Sequence, residues 1–244
     1  MIDVHCHLVD NKFKENLDDV ISHAQSSGVV KLINVPEFES QFESSIEITK
    51  KWKGVVYTGI GIHPIQKRGK SAQMKHISKM EQFFVEHERD IICVADLEEQ
   101  ERVFKWQINL AKHFEKPLNV HSRSAARRTI EVLTECHVAP DRVILHAFDG
   151  GLEDAKMGSE AGYLFSVPPS FVRSEKVAEV FNSIPIDQIL LETDSPALGP
   201  EQGVKNVPSN LIISAEWISK IKDIPVEDVV RATSANANRV FRFS

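Results

Sequence analysis

The sequence predicts an α/β protein built as one (β/α)8 barrel, the TIM-barrel architecture, over residues 1–244. Eight short apolar segments alternate with segments of helical periodicity along the whole chain, which is the order of strands and helices in such a barrel. The length of 244 residues suits a one-domain barrel. No linker rich in Pro, Gly or Ser divides the chain, so we expect a single domain.

The predicted strands are rich in Val, Ile and Leu, and their apolar residues occupy consecutive positions. This pattern is typical of strands that are buried on both faces of a parallel sheet. In chain order the strands are Ile2–Leu8, Val29–Val35, Val55–Ile62, Ile91–Leu97, Leu118–His121, Val143–Ala147, Tyr163–Val167 and Ile189–Glu192.

The predicted helices repeat apolar residues at intervals of three and four and carry charge on the opposite face. They are Leu17–Ser27, Phe42–Trp52, Met74–His87, Glu99–Phe114, Ala125–Cys136, Lys176–Ser183, Leu211–Ile221 and Val226–Val240. A doubly wound open sheet is the alternative architecture. The chain has neither a GxGxxG turn after its first strand nor a GxxxxGK[ST] motif, which disfavours dinucleotide-binding and P-loop proteins.

Charge and composition limit the possible partners. The 29 basic and 35 acidic residues give a formal net charge of -6, whereas proteins that coat duplex DNA are usually basic. A nucleic acid or small phosphodiester would therefore be bound locally, at one site. The three cysteines are widely spaced, and the chain shows neither a secretory signal nor a membrane-spanning apolar stretch. We expect a cytoplasmic or nuclear protein with no membrane contact and no obligate protein partner.

Histidine and acidic residues stand at the ends of the apolar strands, where barrels of this type carry their active sites. Residues two apart on a strand face the same side, so His5 and His7 can reach one ion. An isolated H-x-H also arises by chance or as a chain-terminal feature. The prediction of a metal site therefore depends on the further residues at matching positions, which are His121, His146 and Asp194. Imidazole with carboxylate suits Zn²⁺ or Mn²⁺, and Mg²⁺ can be held through carboxylate and water.

Five motifs resemble those of the TatD family of metal-dependent nucleases, occur in the family's order and span nearly the whole chain. They are D-V-H-C-H-L (3–8), G-I-H-P (61–64), N-V-H-S-R (119–123), L-H-A-F-D-G (145–150) and L-E-T-D-S-P (191–196). Within the family, the segments at 166–170 and 191–201 are most similar to the third animal TatD-domain paralogue.

The resemblance implies two divalent metal ions that cleave phosphodiester bonds, most naturally in DNA. His5, His7 and Asp194 correspond to ligands of the first ion, and His121 and His146 to ligands of the second. Asp194 is also the candidate catalytic residue, because a carboxylate beside a metal-bound water can accept the water's proton.

Two further residues are candidates for substrate binding. His63 corresponds to a family position that lines the site near the substrate. Arg123 follows His121 by two positions, where a guanidinium would hold a phosphate with two hydrogen bonds. The alternative for Arg123 is a surface residue that opens a helix.

The chain departs from the family at the fourth strand. The family has a G-E-x-G-L-D type motif there, and its glutamate bridges both ions, whereas residues 91–100 read I-I-C-V-A-D-L-E-E-Q. A bridging carboxylate offsets the repulsion between two cations, so its loss is expected to weaken the site. Asp96 is the candidate replacement, with a side chain one methylene shorter. Glu98 and Glu99 are expected to begin a helix, where acids suit the positive end of the dipole.

Two other functions stay open on the sequence alone. An amide- or ester-cleaving metallohydrolase would use the same metal ligands on the same type of barrel. A catalytically inactive barrel that lost its chemistry with the bridging glutamate is the second alternative. Metal counting and a comparison of phosphodiester with acylated substrates separate these functions.

Overall fold

The structure, a computed structural model, describes residues 1–62, 65–66, 70–71, 75–97, 101–122 and 125–243; at 62, 65–66, 70–71, 75–78 and 96–97 it describes the backbone alone. The strands in this part of the chain are β1 (Ile2–Cys6), β2 (Lys31–Asn34), β3 (Val56–Ile62), β4 (Ile65–Gln66), β5 (Lys70–Ser71), β6 (Ile91–Leu97), β7 (Leu118–His121), β8 (Val143–His146), β9 (Leu164–Val167) and β10 (Ile189–Leu191).

The barrel sheet contains eight strands in the order β1-β2-β3-β6-β7-β8-β9-β10. Every neighbouring pair along this order is parallel. The first and last strands meet through the chain that follows β10, because the Asp194 amide donates to the His5 carbonyl at 2.8 Å. All eight predicted strands are present, and the predicted (β/α)8 barrel is confirmed. The fourth barrel strand of the sequence analysis is β6.

The helices alternate with the barrel strands as predicted. They are α1 (Leu17–Ser26), α2 (Phe42–Lys51), α3 (Lys75–Glu86), α4 (Glu101–His113), α5 (Ala126–Glu135), α6 (Leu152–Glu160), α7 (Glu175–Ser183), α8 (Leu211–Lys222) and α9 (Val226–Phe241). Two elements are not among the predicted ones: helix α6 and the short antiparallel β4–β5 hairpin.

Helix α6 lacks an apolar stripe because small residues face the barrel. Its buried positions are Ala155 and Gly158. A Cβ atom at Gly158 would lie 3.0 Å from the ring of Phe165, so the helix packs closely on β9. The helix is therefore held by close packing of small residues, which leaves no three-and-four repeat of large apolar side chains in the sequence.

Two apolar clusters fill the protein. The larger one joins the outer face of the barrel to the surrounding helices. The smaller one contains Ile144 of β8 and Leu190 of β10 together with Val240 and Phe241 of α9. Alternation along a strand then puts the residues two positions beyond Ile144 and Leu190 on the same face, towards the C-terminal ends of the strands. Those positions carry polar side chains.

The close approach of β3 and β6 requires a glycine. A Cβ atom at Gly61 would lie 1.4 Å from the carbonyl oxygen of Ala95, so any other residue would separate the two strands. Gly61 belongs to the G-I-H-P motif, which therefore has a packing role in addition to any role of its histidine. Among the described residues, none of the helices has the length and apolar character that crossing a membrane requires.

Candidate metal centre

The seam between the first and last barrel strands brings together residues from the two ends of the chain. His5 lies in β1, His7 follows that strand by one residue, and Asp194 follows β10. The His5 carbonyl accepts from the Asp194 amide at 2.8 Å, and the His7 amide donates to the Ser195 carbonyl at 2.8 Å. Backbone hydrogen bonds of the barrel closure therefore set the relative positions of these three side chains.

One carboxylate oxygen of Asp194 is the point on which three imidazoles converge. The Asp194 Oδ1 atom lies 3.0 Å from Nε2 of His7, 3.8 Å from Nε2 of His5 and 3.6 Å from Nε2 of His146. His5, His7 and Asp194 offer ligand atoms that all lie within 4.8 Å of one another. The structure therefore brings together His5, His7 and Asp194 as expected, and it adds His146 to the same group.

In His5 and His7 the Nδ1 atom, which faces away from Asp194, has a hydrogen-bond partner. Nδ1 of His7 lies 2.6 Å from the Val35 carbonyl oxygen, and Nδ1 of His5 lies 3.1 Å from Oδ1 of Asn119. A carbonyl oxygen can only accept, so Nδ1 of His7 carries a proton. The second nitrogen of each ring, Nε2, is the one that faces Asp194. Such partners behind an imidazole fix its orientation towards a metal ion.

His146 is held by a charged partner. Its Nδ1 lies 2.7 Å from Oε2 of Glu192, and this same oxygen accepts from the Ser166 hydroxyl at 2.5 Å. The other carboxylate oxygen of Glu192 accepts from the Ala147 amide at 2.9 Å. Glu192 is fully buried, and these contacts give both of its carboxyl oxygens hydrogen-bond partners. His5, His146 and Glu192 also offer a second group of potential ligand atoms.

His121 lies beside this group. Its backbone pairs in register with that of His146 on the neighbouring strand, and the two ring centroids are 5.3 Å apart. The His146 ring in turn stacks on the His5 ring with a centroid separation of 3.6 Å. The four histidines therefore form a continuous layer of imidazoles across the C-terminal ends of β1, β7 and β8.

The electrostatics of the group centre on Asp194. Burial alone would raise the pKa of this carboxyl, but the hydrogen bond and charge of His7, with the charges of the other two imidazoles, hold it well below its usual range. Burial lowers the pKa of His7, yet the hydrogen bond to Asp194 outweighs it and raises that pKa to about 9. A proton on His7 therefore lies between the imidazole and the carboxylate.

The pKa values of the other two imidazoles, His5 and His146, are shifted in opposite directions. Burial and the neighbouring imidazoles His146 and His7 hold the pKa of His5 well below its usual range. For His146, burial lowers the pKa, but the charge and hydrogen bond of Glu192 outweigh it, and the pKa is raised. His5 is therefore a neutral imidazole, which is the form that binds a metal ion.

The backbone of Asp194 is in a strained conformation. Its φ of 54° lies in the left-handed region, where a residue with a side chain is uncommon. Such a conformation persists when surrounding contacts enforce it. Here the amide of Asp194 donates to His5, and the amide of Ala197 donates to the Asp194 carbonyl at 2.8 Å. Together these bonds direct the carboxylate towards the imidazoles.

A second buried acidic side chain, that of Asp3, lies behind the seam. Asp3 accepts from the Thr193 amide at 3.0 Å, from the Thr193 hydroxyl at 2.6 Å and from the His5 amide at 3.3 Å. Burial raises its pKa to about 8, partly offset by the hydrogen bonds from Thr193. Asp3 therefore links β1 to the segment that carries Asp194, immediately beside two of the converging residues.

Some predicted site residues lie outside the described part of the chain. His63 and Arg123 are not among the described residues, and neither is the side chain of Asp96. The backbone register of β6 is described: position 96 pairs with Val120, and position 97 pairs with His121. This pairing concerns the backbone of β6 alone, so the role of Asp96 as a replacement ligand stays a prediction.

Asn119 and Ser166 contact the site but are not among the predicted site residues. Both are buried polar residues in otherwise apolar strands, and that is the signal that identifies them. Asn119 stands two positions before His121, hence on the same face of its strand. Ser166 carries no comparable spacing signal, because its partner Glu192 lies on a different strand.

The chemistry of the donor set fits a divalent cation. Imidazole nitrogens with a fixed Nδ1 partner and one ionised carboxylate are the ligand types of Zn²⁺ and related first-row ions. Three Nε2 atoms within 3.8 Å of one carboxylate oxygen are a suitable set of donors for such an ion. The roles of His5, His7, His121, His146 and Asp194 as metal ligands stay predictions.

Known proteins are similar to this chain over nearly its whole length. A family model described as TatD related DNase matches residues 2–242. The chain is 38% identical over 260 residues to the human deoxyribonuclease TATDN3, covering 99% of this chain and 94% of that protein. It is 29% identical over 252 residues to the uncharacterized metal-dependent hydrolase MJ1582 of Methanocaldococcus jannaschii, covering 99% of this chain and 96% of that one.

Solved structures show the same fold. The TatD homologue YjjV of Escherichia coli has a TM-score of 0.91 at 22% identity, covering 100% of this chain and 98% of that one. A TatD family hydrolase of Entamoeba histolytica has a TM-score of 0.87 at 18% identity, covering 100% and 98%. The predicted similarity to the third animal paralogue is confirmed by the match to TATDN3. The chain belongs to the TatD related DNase family.

Proposed function

We propose that this protein is a divalent-metal-dependent hydrolase of phosphodiester bonds, with DNA as its substrate. Family membership supports the reaction class, since relatives carry the names deoxyribonuclease and metal-dependent hydrolase. The observation that carries the proposal is the convergence of the His5, His7 and His146 Nε2 atoms on one oxygen of Asp194. An apolar or purely structural barrel has no need to bury such a cluster.

The proposed ligands are divided between two ions. His5, His7 and Asp194 would hold the first, and His121 with His146 would hold the second beside it. The 5.3 Å between the centroids of His121 and His146 supports this second pair. Bound divalent ions lower the pKa of a coordinated water and neutralise phosphate charge. Zn²⁺, Mn²⁺ and Mg²⁺ are the candidate ions.

Residues of the chain itself have three tasks in this proposal. Asp194 is ionised, because its pKa is held low, and it would accept the proton of the attacking water. Glu192 holds the His146 ring from behind and keeps its Nε2 directed into the site. His63 and Arg123 are proposed to contact the phosphodiester, Arg123 through its two-pronged guanidinium.

The fourth barrel strand is proposed to weaken this site. We infer that residues 91–100 lack the family's bridging glutamate, because they read I-I-C-V-A-D-L-E-E-Q, and Asp96 is the candidate replacement with a shorter side chain. Two ions held by imidazoles and one aspartate keep more uncompensated charge than a bridged pair. We therefore expect lower second-ion affinity and slower turnover than in a relative with the complete motif.

A substrate comparison tests the reaction class. The chelated full chain is reconstituted with Zn²⁺, Mn²⁺ or Mg²⁺ and given bis-p-nitrophenyl phosphate, single-stranded and duplex DNA, and an acylated amine or ester. The proposal expects hydrolysis of the phosphodiester and of DNA in the presence of metal. Hydrolysis of the acylated substrate alone would assign the protein to the amide- or ester-cleaving alternative. Metal binding without any hydrolysis would favour the inactive barrel.

A further inference from the structure

Asn119 of β7 is a buried amide, 1% exposed, that joins two strands on the inner face of the barrel. Its Nδ2 donates to the Val4 carbonyl oxygen at 2.9 Å, and its Oδ1 lies 3.1 Å from Nδ1 of His5. Both contacts reach across the barrel sheet, since β7 and β1 are not neighbours in the strand order. Asn119 therefore uses both ends of its amide to contact the strand that carries the H-x-H pair, one at a backbone carbonyl and the other at a side chain.

The contact with Val4 determines which nitrogen of His5 carries the proton. A backbone carbonyl can only accept, so the NH2 group of Asn119 must face Val4 and its oxygen must face His5. An amide oxygen can only accept as well, so Nδ1 of His5 must donate. In the neutral ring the lone pair is then on Nε2, the nitrogen that faces Oδ1 of Asp194.

We propose that Asn119 is a positioning residue for metal binding, which fixes the tautomer and the ring plane of His5 so that Nε2 is presented to the ion. This inference rests on the proposed metal-dependent function. The ring is held on its other side by the stacked His146, 3.6 Å away between centroids. The amide and the stacked imidazole together restrict both the plane and the rotation of the His5 ring.

Because its partner is the amide of Asn119 and not a carboxylate, His5 should be a weaker electron donor to a metal ion than His146. His146 is backed by the carboxylate of Glu192, which makes its ring a stronger donor to a metal ion, whereas His5 is backed by a neutral group. Asn119 therefore orients His5 without adding a negative charge to the buried centre. Replacing the amide by a carboxylate should preserve the orientation and strengthen the donor.

Three substitutions separate positioning from a general packing role. Asn119→Leu has a similar volume and no acceptor for His5. Asn119→Ser is polar but too short to reach the imidazole. Asn119→Asp keeps an acceptor towards His5 and loses the donor to Val4. The matched control is Asn236→Leu, because Asn236 is a buried amide that donates to the Ile189 carbonyl at 2.8 Å, away from the site.

The experiment is a titration of the chelated full chain with Zn²⁺ alone, combined with unfolding curves and ¹⁵N spectra of histidine-labelled protein. We expect Asn119→Leu and Asn119→Ser to weaken Zn²⁺ binding by about 10–100-fold, the usual effect of removing a partner behind a ligand histidine. Asn119→Asp should bind Zn²⁺ at least as tightly as the native chain, although it unfolds more easily. The His5 signals should show a proton on Nδ1 in the native chain and lose that tautomer in Asn119→Ser.

The outcomes distinguish this inference from the proposed function. A native chain that binds no Zn²⁺ would contradict the proposed function itself. A native chain that binds Zn²⁺, with Asn119→Ser binding it as tightly as the native chain and Asn119→Asp do, would overturn the role of Asn119. If Asn119→Leu fails to fold, the serine and aspartate variants decide. Asn236→Leu is expected to lower stability and leave Zn²⁺ affinity unchanged.

Discussion

Oδ1 of Asp194 lies 3.0 Å from Nε2 of His7, although 187 positions of sequence separate the two residues. The closure of the barrel creates this contact, because the backbone of the segment after β10 bonds to the backbone at His5 and His7. The raised pKa of His7 puts a proton of its imidazole between these two groups. We therefore expect metal binding to depend on the seam between the first and last strands, so that perturbing this seam affects the site from a distance.

Removing Asp3 should loosen the seam. Asp3→Ala leaves the Thr193 amide and hydroxyl without the carboxyl group that accepts from them. Leaving a buried donor unsatisfied costs about 1–3 kcal/mol, so the free energy of unfolding should fall by at least that amount. Urea unfolding of the metal-free protein measures the change. Ser214→Ala is the control, since the buried Ser214 hydroxyl has no hydrogen-bond partner among the described residues. Equal stability of the two variants would contradict the assigned role of Asp3.

Asp194→Asn should remove most of the activity. The substitution keeps the shape of the side chain and removes the charge that attracts the ion and accepts the proton. Loss of a general base alone lowers rates by about 10²–10⁴-fold. Phosphodiester hydrolysis is compared with metal content, so that loss of binding and loss of chemistry are told apart. Asp187→Asn, at the exposed opposite end of the same strand region, should change neither quantity.

His121 and His146 should differ in their effect on metal stoichiometry. Nε2 of His146 lies 3.6 Å from Oδ1 of Asp194, and its Nδ1 contacts Glu192. His146→Ala should therefore weaken the binding of both ions. His121→Ala should lower the occupancy of the second ion and leave the first bound. Native mass spectrometry of the metal-loaded variants counts the ions directly. Unchanged metal content in the variant that lacks both histidines would remove them from the site.

Restoring a carboxylate at the fourth barrel strand should improve the enzyme. Insertion of the family's G-E-containing segment after Ala95 is expected to raise metal stoichiometry and phosphodiesterase rate, about tenfold for each ~1.4 kcal/mol gained. Leu97→Glu is the smallest test of the same idea, because position 97 pairs with His121. Asp96→Asn is the comparison. A loss of activity in Asp96→Asn, with no gain from the insertion, would show that Asp96 already supplies the bridging charge.

The sequence predicts the strands and the H-x-H pair because these depend on local patterns. Runs of Val, Ile and Leu give the strands, and two-residue alternation puts His5 and His7 on one face. The strand-end positions also predict that His146 and Asp194 belong to one site, but not the 3.6 Å between Nε2 of His146 and Oδ1 of Asp194, since alternation gives the face of a residue and not its height relative to other strands. Helix α6 was missed because its buried residues are Ala155 and Gly158, which leave no large apolar repeat.

The hydrogen-bond partners of the imidazole Nδ1 atoms could not be predicted from the sequence either. Asn119 shares a face with His121, and its spacing signals a polar residue on the inner side of the barrel. Its actual contacts are with Val4 and His5, on a strand that is not its neighbour. Asn119 meets Val4 and His5 because the strands of a closed barrel are staggered relative to one another. This stagger cannot be predicted from a local sequence pattern. Glu192 and Ser166 meet for the same reason.

The most direct test of the account is the dependence of DNA cleavage on metal occupancy. The full chain is stripped with chelator, and cleavage of a labelled DNA is followed as Zn²⁺, Mn²⁺ or Mg²⁺ is added back, for the native chain and for a variant with both His5 and His7 replaced by alanine. The account predicts no cleavage by the stripped chain, a rate that rises with bound metal, and no recovery in the variant. Cleavage that persists without metal, or that recovers equally in the variant, would contradict the assignment of this histidine and aspartate group as the active site.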